Sequence, residues 1–147
     1  MRNSTRVYVV GLAAVLAFSG LIANYGQTGP AATAPTRAPA LMQWQMARLQ
    51  YANDVLEAAR RRLQAGMGTV AEVSAAMRLV VESQFDMVET KTQRLAVAQQ
   101  QMAVCEELLN DVENWVKAGR LAASELSFAR YDLAEAKVRL LKIQAEP

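Results

Sequence analysis

Side chains that commonly carry out catalysis are scarce in this sequence. Its 147 residues include no histidine, the most frequent general base and metal ligand in proteins. The only cysteine, Cys105, cannot form a disulfide within the chain, and we interpret it as a buried, unreactive thiol. Four carboxylates lie between Glu106 and Glu113, but charges at this density are typical of a solvated helix face. We therefore predict that the protein is not an enzyme and has no catalytic, cofactor-binding or metal-binding residues.

The net charge of +2 originates in the N-terminal region. Arg2, Arg6 and Arg37 are the only charged residues among the first 40, so the rest of the chain is nearly neutral. Basic and acidic residues are interspersed there, as on a solvated helical surface. We therefore expect no nucleic-acid partner.

The element that must position any functional side chain is a single long helix predicted over about 69–117. Neither proline nor glycine interrupts this stretch, and apolar residues recur in it with a period of 3.5, which is typical of a coiled coil. One set of seam positions is Ser74, Val81, Val88, Leu95, Met102, Leu109 and Val116. The other set is Val70, Met77, Gln84, Lys91, Ala98, Cys105 and Val112. We expect the polar members Gln84 and Lys91 to lie where packing against the partner helix is interrupted.

Two shorter helices, predicted at about 41–64 and 122–144, supply the partner for the long helix. Each carries a large apolar residue every seven positions and alanine at most of the other seam positions. Gly66 and Gly68 lie in the first break and Gly119 in the second, where glycine suits the left-handed conformation that ends a helix. The predicted fold is therefore all-α, an antiparallel coiled coil with the long helix packed on two shorter helices arranged end to end.

The two breaks repeat each other at a sequence offset of 53 residues. The matching residues are Ala65 and Ala118, Gly66 and Gly119, Glu72 and Glu125, Ser74 and Ser127, Ala76 and Ala129, and Glu82 and Glu135. Thr69 and Glu72 form the signature of a capping box that begins the long helix. Ala122 replaces Thr69 in the second copy, so we expect the last helix to start later or more weakly.

The N-terminal segment, residues 1–23, predicts export. Basic residues in the first six positions precede an apolar run over residues 7–23, as in a secretory signal. Cleavage after Ser19 and retention of the whole run as a membrane anchor both remain open. Residues 24–40 are rich in alanine, proline and threonine and should form a flexible linker to a helical domain at 41–147. We expect this domain in the bacterial periplasm or on the periplasmic side of the inner membrane.

Six aromatic residues fall outside the apolar seams. A slim rod of paired helices offers no second core for them, so we interpret them as a candidate interaction surface. They are Trp44, Tyr51, Phe85, Trp115, Phe128 and Tyr131. The expected partner is a second copy of the chain or another protein of the cell envelope. The seam methionines Met42, Met77 and Met102 are expected to fill the core instead.

Two stretches, AGMGTVAEVSAAMRLVVES and AGRLAASELSFARYDLAEAKVRLL, resemble the helix-turn-helix motif of TolC-like outer-membrane efflux proteins. The resemblance covers roughly residues 41–145 and implies a long helix packed against two shorter ones. The helical hairpin of periplasmic membrane-fusion adaptors is similar as well. The sequence departs from both families, because it has neither the alternating strands of an outer-membrane barrel nor a lipoyl-like β segment.

Together these features predict an exported, membrane-tethered, non-catalytic coiled-coil protein. It would act by helix packing with itself or with another component of the cell envelope. The alternative is a periplasmic chaperone-like module, in which surfaces rich in methionine and aromatic residues hold unfolded chains.

Overall fold

The computed structural model describes residues 39–147, and the regular structure in that range is entirely helical. Helix α1 spans Pro39–Gln64, α2 spans Val70–Met87, α3 spans Lys91–Lys117 and α4 spans Glu125–Ala145. The predicted all-α class is confirmed for this part of the chain. Across 39–147 we find no helix that combines the length and apolarity needed to span a bilayer. The predicted signal or anchor at 1–23 lies outside the described residues, as does the predicted linker up to residue 38.

The prediction of one continuous helix over 69–117 is wrong at residues 88–90. Val88 and Thr90 both have extended backbone conformations, with ψ of 140° and 152°. The Thr90 hydroxyl accepts a hydrogen bond from Gln93 N at 3.2 Å, and Gln93 Oε1 accepts one from Thr90 N at 3.2 Å. This capping box gives partners to backbone N–H groups that a new helix would otherwise leave free, so α3 begins at Lys91. The apolar repeat runs on across these residues, which is why the repeat by itself predicts one helix.

Successive helices are antiparallel, and the two hairpins pack side by side. Helix α1 packs along α2 and α3 along α4, while α2 also contacts both α3 and α4. The N termini of α2 and α4 are neighbours, because Val70 N donates to Glu125 Oε2 at 2.8 Å. Toward their other ends the Arg139 guanidinium lies 5.3 Å from the centre of the Phe85 ring. The predicted end-to-end arrangement of the two short helices is therefore wrong, because the chain reverses at 88–90.

One hydrophobic core joins all four helices. Its fully or nearly fully buried members include Leu56, Leu63, Val70, Val73, Val112, Ala129 and Ala136. Met77 is buried and Met102 is partly buried, as predicted. Met42 is exposed, contrary to prediction. The reason is that α2 ends near Gln45, whose Nε2 donates to Asp86 O at 3.0 Å, so the first turn of α1 extends past its partner.

The predicted glycine turns end α1 and α3 in the same way. Gly66 and Gly119 have φ of 72° and 68°, in the left-handed region. Met67 N donates to Arg62 O at 2.9 Å, and Arg120 N donates to Trp115 O at 2.8 Å. These bonds satisfy the last carbonyls of each helix. Gly68 has a different role, since a Cβ there would lie 2.9 Å from Leu63 N.

The starts of α2 and α4 differ as the sequence predicts. Thr69 Oγ1 accepts a hydrogen bond from Glu72 N at 3.2 Å, so the first copy of the repeat is capped by a side chain. The second copy has Ala122 at the equivalent position. Helix α4 begins only at Glu125, and its N-cap residue Ser124 makes no side-chain capping bond.

Candidate interaction surface

The six aromatic residues predicted as one surface are distributed over several parts of the structure. Three of them are held by arginines of the same chain. Arg139 lies over Phe85, Arg120 lies over Trp115 and Arg78 lies over Tyr131, at 5.3, 5.7 and 5.6 Å. Phe85 and Trp115 are also partly buried against the core clusters. These two side chains belong to the fold and not to a free surface.

Trp44 and Tyr51 remain strongly exposed, at 71% and 65% of their surface, and they lie together. Both line an open groove of about 310 Å³ between α1 and α2. The lining residues are Trp44, Ala47, Arg48, Tyr51, Ala52, Val55, Leu79 and Ser83. Phe128 on α4 is exposed too, but it does not line this groove. Of the six candidates, Trp44 and Tyr51 thus share one groove, and Tyr131 on α4 is exposed but lies outside it. We call this groove the α1–α2 groove.

The position of these aromatics follows from the helical periodicity of α1. The buried residues Ala52, Leu56, Ala59 and Leu63 form the stripe that faces the core. Trp44, Tyr51 and Val55 lie about a quarter of a turn away from that stripe at 100° per residue. Their side chains consequently flank the contact with α2 and do not enter it.

Charged groups at the edge of the groove pair with each other. Arg48 forms an ion pair with Asp86 and lies 3.9 Å from Glu82. The carboxylates come from α2, so the pairs connect the two helices next to the apolar floor. All three side chains are at least half exposed, and ion pairs in such positions contribute at most about 1 kcal/mol each. The groove therefore combines an apolar floor with a charged edge.

Sequence reasoning did not find Val55 and Leu79, which complete the apolar floor. Val55 follows Tyr51 by four residues, and this spacing could have placed it on the same helix flank. Leu79 comes from α2 and is adjacent only because the hairpin brings it there. No pattern within α1 or α2 alone predicts that contact.

A polar cluster lies between α2 and α4, with Ser74 and Asp132 buried and Arg78 and Glu135 more exposed. Ser74 donates a hydrogen bond from its hydroxyl to Asp132. Arg78 Nη2 is 3.6 Å from Asp132 Oδ1 and 3.6 Å from a Glu135 oxygen. Burial raises the pKa of Asp132, although the Ser74 hydrogen bond and Arg78 oppose the change. These partners satisfy the carboxylate within the protein, so we interpret the cluster as an interhelical contact.

Cys105 on α3 is buried, as the sequence predicts. Burial raises the pKa of this thiol to about 12, and the nearby Asp132 and Glu135 carboxylates add to the effect. A thiol with such a pKa carries almost no thiolate at neutral pH. Residues 39–147 contain no group of three or more cysteine, histidine or acidic side chains able to hold a metal ion.

Comparisons of the chain with protein-family models, curated proteins and solved structures found no match. The resemblance of the two helical stretches to TolC-like proteins therefore stays a prediction.

Proposed function

We propose that this chain is a non-catalytic helical interaction protein of the bacterial cell envelope. In this proposal residues 1–23 direct it across the inner membrane, and the helical domain acts on the periplasmic side. Its α1–α2 groove then packs against an apolar helix of another envelope protein. The likeness to TolC-like proteins would then be limited to the two helix-turn-helix stretches, because α2 and α4 lie side by side in this chain.

The observation that carries this proposal is the joint exposure of Trp44 and Tyr51 in an apolar groove. Tryptophan and tyrosine bury large areas at little conformational cost, and they are the side chains most enriched at the energetic centres of interfaces. Val55 and Leu79 extend the apolar surface beside them. A partner side chain entering the groove would shield all four from water.

A helix fits this groove better than an extended strand does. The groove follows the axis of α1 from Trp44 to Val55, a rise of roughly 16 Å or about three turns. Its walls are helices whose backbone groups are already hydrogen-bonded, so no strand edge is offered to a β-strand. An amphipathic helix can instead insert side chains at spacings of three, four and seven residues.

Site-specific photocrosslinking in cells tests the proposal. A photoreactive amino acid at Ala47, in the floor of the groove, should give an adduct with a distinct envelope protein. The same probe at Ala103, an exposed position on α3, is the control for random collisions. The adduct should disappear in a Trp44→Ala variant and persist in a Phe128→Ala variant, which removes an exposed aromatic outside the groove. Adducts that are identical at both probe positions, or that survive Trp44→Ala, would refute the proposal.

A chaperone-like function is a second candidate, because Met42 and Met46 are exposed close to Trp44 along α1. Flexible methionine side chains beside aromatics can adapt to many apolar segments. The purified chain should then suppress aggregation of unrelated unfolded proteins, with the effect reduced in a Met42→Gln, Met46→Gln variant. A chain that protects no client would remove this candidate and leave the first one intact.

A further inference from the structure

We propose that the outward face of α4 pairs with α4 of a second copy of this chain in an antiparallel arrangement. The contact is formed by Ala134, Val138, Leu141 and Ala145, which we call the α4 stripe. This pairing uses none of the residues that line the α1–α2 groove. It goes beyond the proposed function and does not depend on it.

The α4 stripe is apolar although it faces away from the core. Helix α4 buries Ala129, Asp132, Ala136, Leu140 and Ile143 against the rest of the protein. At 100° per residue the α4 stripe lies on nearly the opposite side of the helix. Val138 and Leu141 are 50% and 62% exposed, and both alanines are exposed as well. The outward face of a surface helix is normally polar, so a second apolar face calls for a partner.

The spacing of the α4 stripe is that of a coiled-coil seam. Its four members are separated by four, three and four residues, which gives the period of 3.5 that keeps a seam facing a partner helix. Alanine occupies both ends, and the larger valine and leucine occupy the centre. A partner helix can therefore approach closely, with the larger side chains interdigitating in the middle.

Charges next to the α4 stripe select a second copy in the antiparallel direction. When Val138 lies opposite Leu141 of the second copy, the alanines at 134 and 145 also lie opposite each other. This register brings Glu135 of each copy next to Lys142 of the other copy, which gives two attractive pairs related by symmetry. Lys137 then faces the neutral Gln144 of the second copy.

A parallel arrangement is less favourable, because it places Lys137 next to Lys142 of the second copy on both sides of the seam. The attraction that it gains between Arg130 and Glu135 does not exceed this repulsion. Glu135 is already held by Arg78 and Arg139 at 3.6 and 3.5 Å, yet about a third of its side chain remains exposed for a further cation. The contact spans only four layers, so we expect a weak, reversible dimer.

Oxidant-induced cysteine crosslinking of the full-length chain in whole cells tests the proposal. In a Cys105→Ala background, Val138→Cys and Leu141→Cys would be placed in two chains with different tags and expressed together. Antiparallel pairing predicts a mixed 138–141 disulfide well above the twofold excess over each self-product that random pairing of the two chains would give. Excess 138–138 and 141–141 products would indicate parallel pairing and overturn the proposal. Yields no higher than those of an exposed Ala103→Cys control would overturn it as well.

Two charge-reversal substitutions, each made separately in the same cysteine-substituted chains, give an independent test of the register. Lys142→Glu should reduce the yield of the mixed disulfide about tenfold, because two attractive pairs become repulsive. Lys137→Glu makes the same charge change on the same helix and should leave the yield within about twofold. Equal effects of the two substitutions would refute the register. Both lysines are exposed, and circular dichroism checks that each variant keeps its helical content.

Discussion

Asp132 is the residue whose environment differs most from what the sequence suggests. It is buried, and its carboxylate is satisfied by Ser74 and Arg78 from α2. Nothing in the pattern of α4 marks this aspartate as interior, because its partners come from another helix. Burying a charged carboxylate costs free energy even when it is paired, so the Asp132 carboxylate offsets part of the stability that the packing of α2 on α4 provides.

The effect of Asp132 on stability should depend on pH. Burial raises its pKa in the folded state, so folding favours the protonated form. The free-energy cost of burying the charged carboxylate is absent at a pH below the pKa that Asp132 has in the unfolded chain. This cost grows as the pH rises from the unfolded pKa to the folded pKa, and it is complete above the folded pKa. We expect Asp132→Asn to be more favourable relative to the native chain at pH 7 than at pH 3. Urea unfolding at both pH values measures this, and Asp54→Asn on exposed α1 surface is the control.

Cys105 should be chemically silent in the folded protein. Its pKa of about 12 and its burial both prevent attack by thiol reagents at neutral pH. Reaction with a chromogenic disulfide should therefore be slow in buffer and complete within minutes in denaturant. Rapid reaction of the folded chain would show that α3 opens far more easily than its buried contacts imply.

At the level of elements, the sequence predicted the helix ends better than the continuity of the helices. The glycine turns at Gly66 and Gly119 could be predicted because a left-handed residue has a strong local signature. The break at 88–90 also has a local signature, the spacing from Thr90 to Gln93. An apolar repeat that remains in phase across the break conceals it. The contacts between α2 and α4 join residues more than 50 positions apart and lie beyond any local pattern.

The capping box at Thr90 should be a measurable part of the stability of α3. Thr90→Ala removes the hydroxyl that accepts the Gln93 N–H, and losses of this kind cost about 1 kcal/mol. Thr92→Ala, two residues further into α3, removes an exposed hydroxyl without removing the cap and should not lower stability. Chemical unfolding of the three chains gives the comparison. Equal stability of all three would mean that the break is held by tertiary contacts alone.

At the level of the whole molecule, side chains from one helix complete the ends of another helix that is distant in sequence. Glu125 of α4 accepts the Val70 N–H at the start of α2. Lys91 at the start of α3 donates to the carbonyls of Gln144 and Glu146 at the end of α4. Lys91 was predicted as a polar interruption of a seam, and the structure shows that it caps a neighbouring helix. Cations near a helix C terminus interact favourably with its dipole.

Removing the Lys91 cap should loosen the end of α4. Lys91→Met should increase hydrogen exchange at the amides of Ile143 to Glu146, because the carbonyls there lose their cationic donor. The backbone amides around the buried Ala129 should exchange as slowly as they do in the native chain. Lys137→Met, which removes an exposed lysine from the middle of α4, is the control. Unchanged exchange at 143–146 would show that core packing by Ile143 is sufficient to hold the end of the helix.

The antiparallel order of successive helices also has a consequence for the rate of folding. Helix α1 meets α2, and α3 meets α4, across connections of only a few residues, so a large share of the contacts is close in sequence. Chains with such low contact order reach the native state in microseconds to milliseconds, because little loop entropy is lost before contacts form. Each hairpin can thus assemble early, and the pairing of α2 with α4 is the step that joins distant parts of the chain.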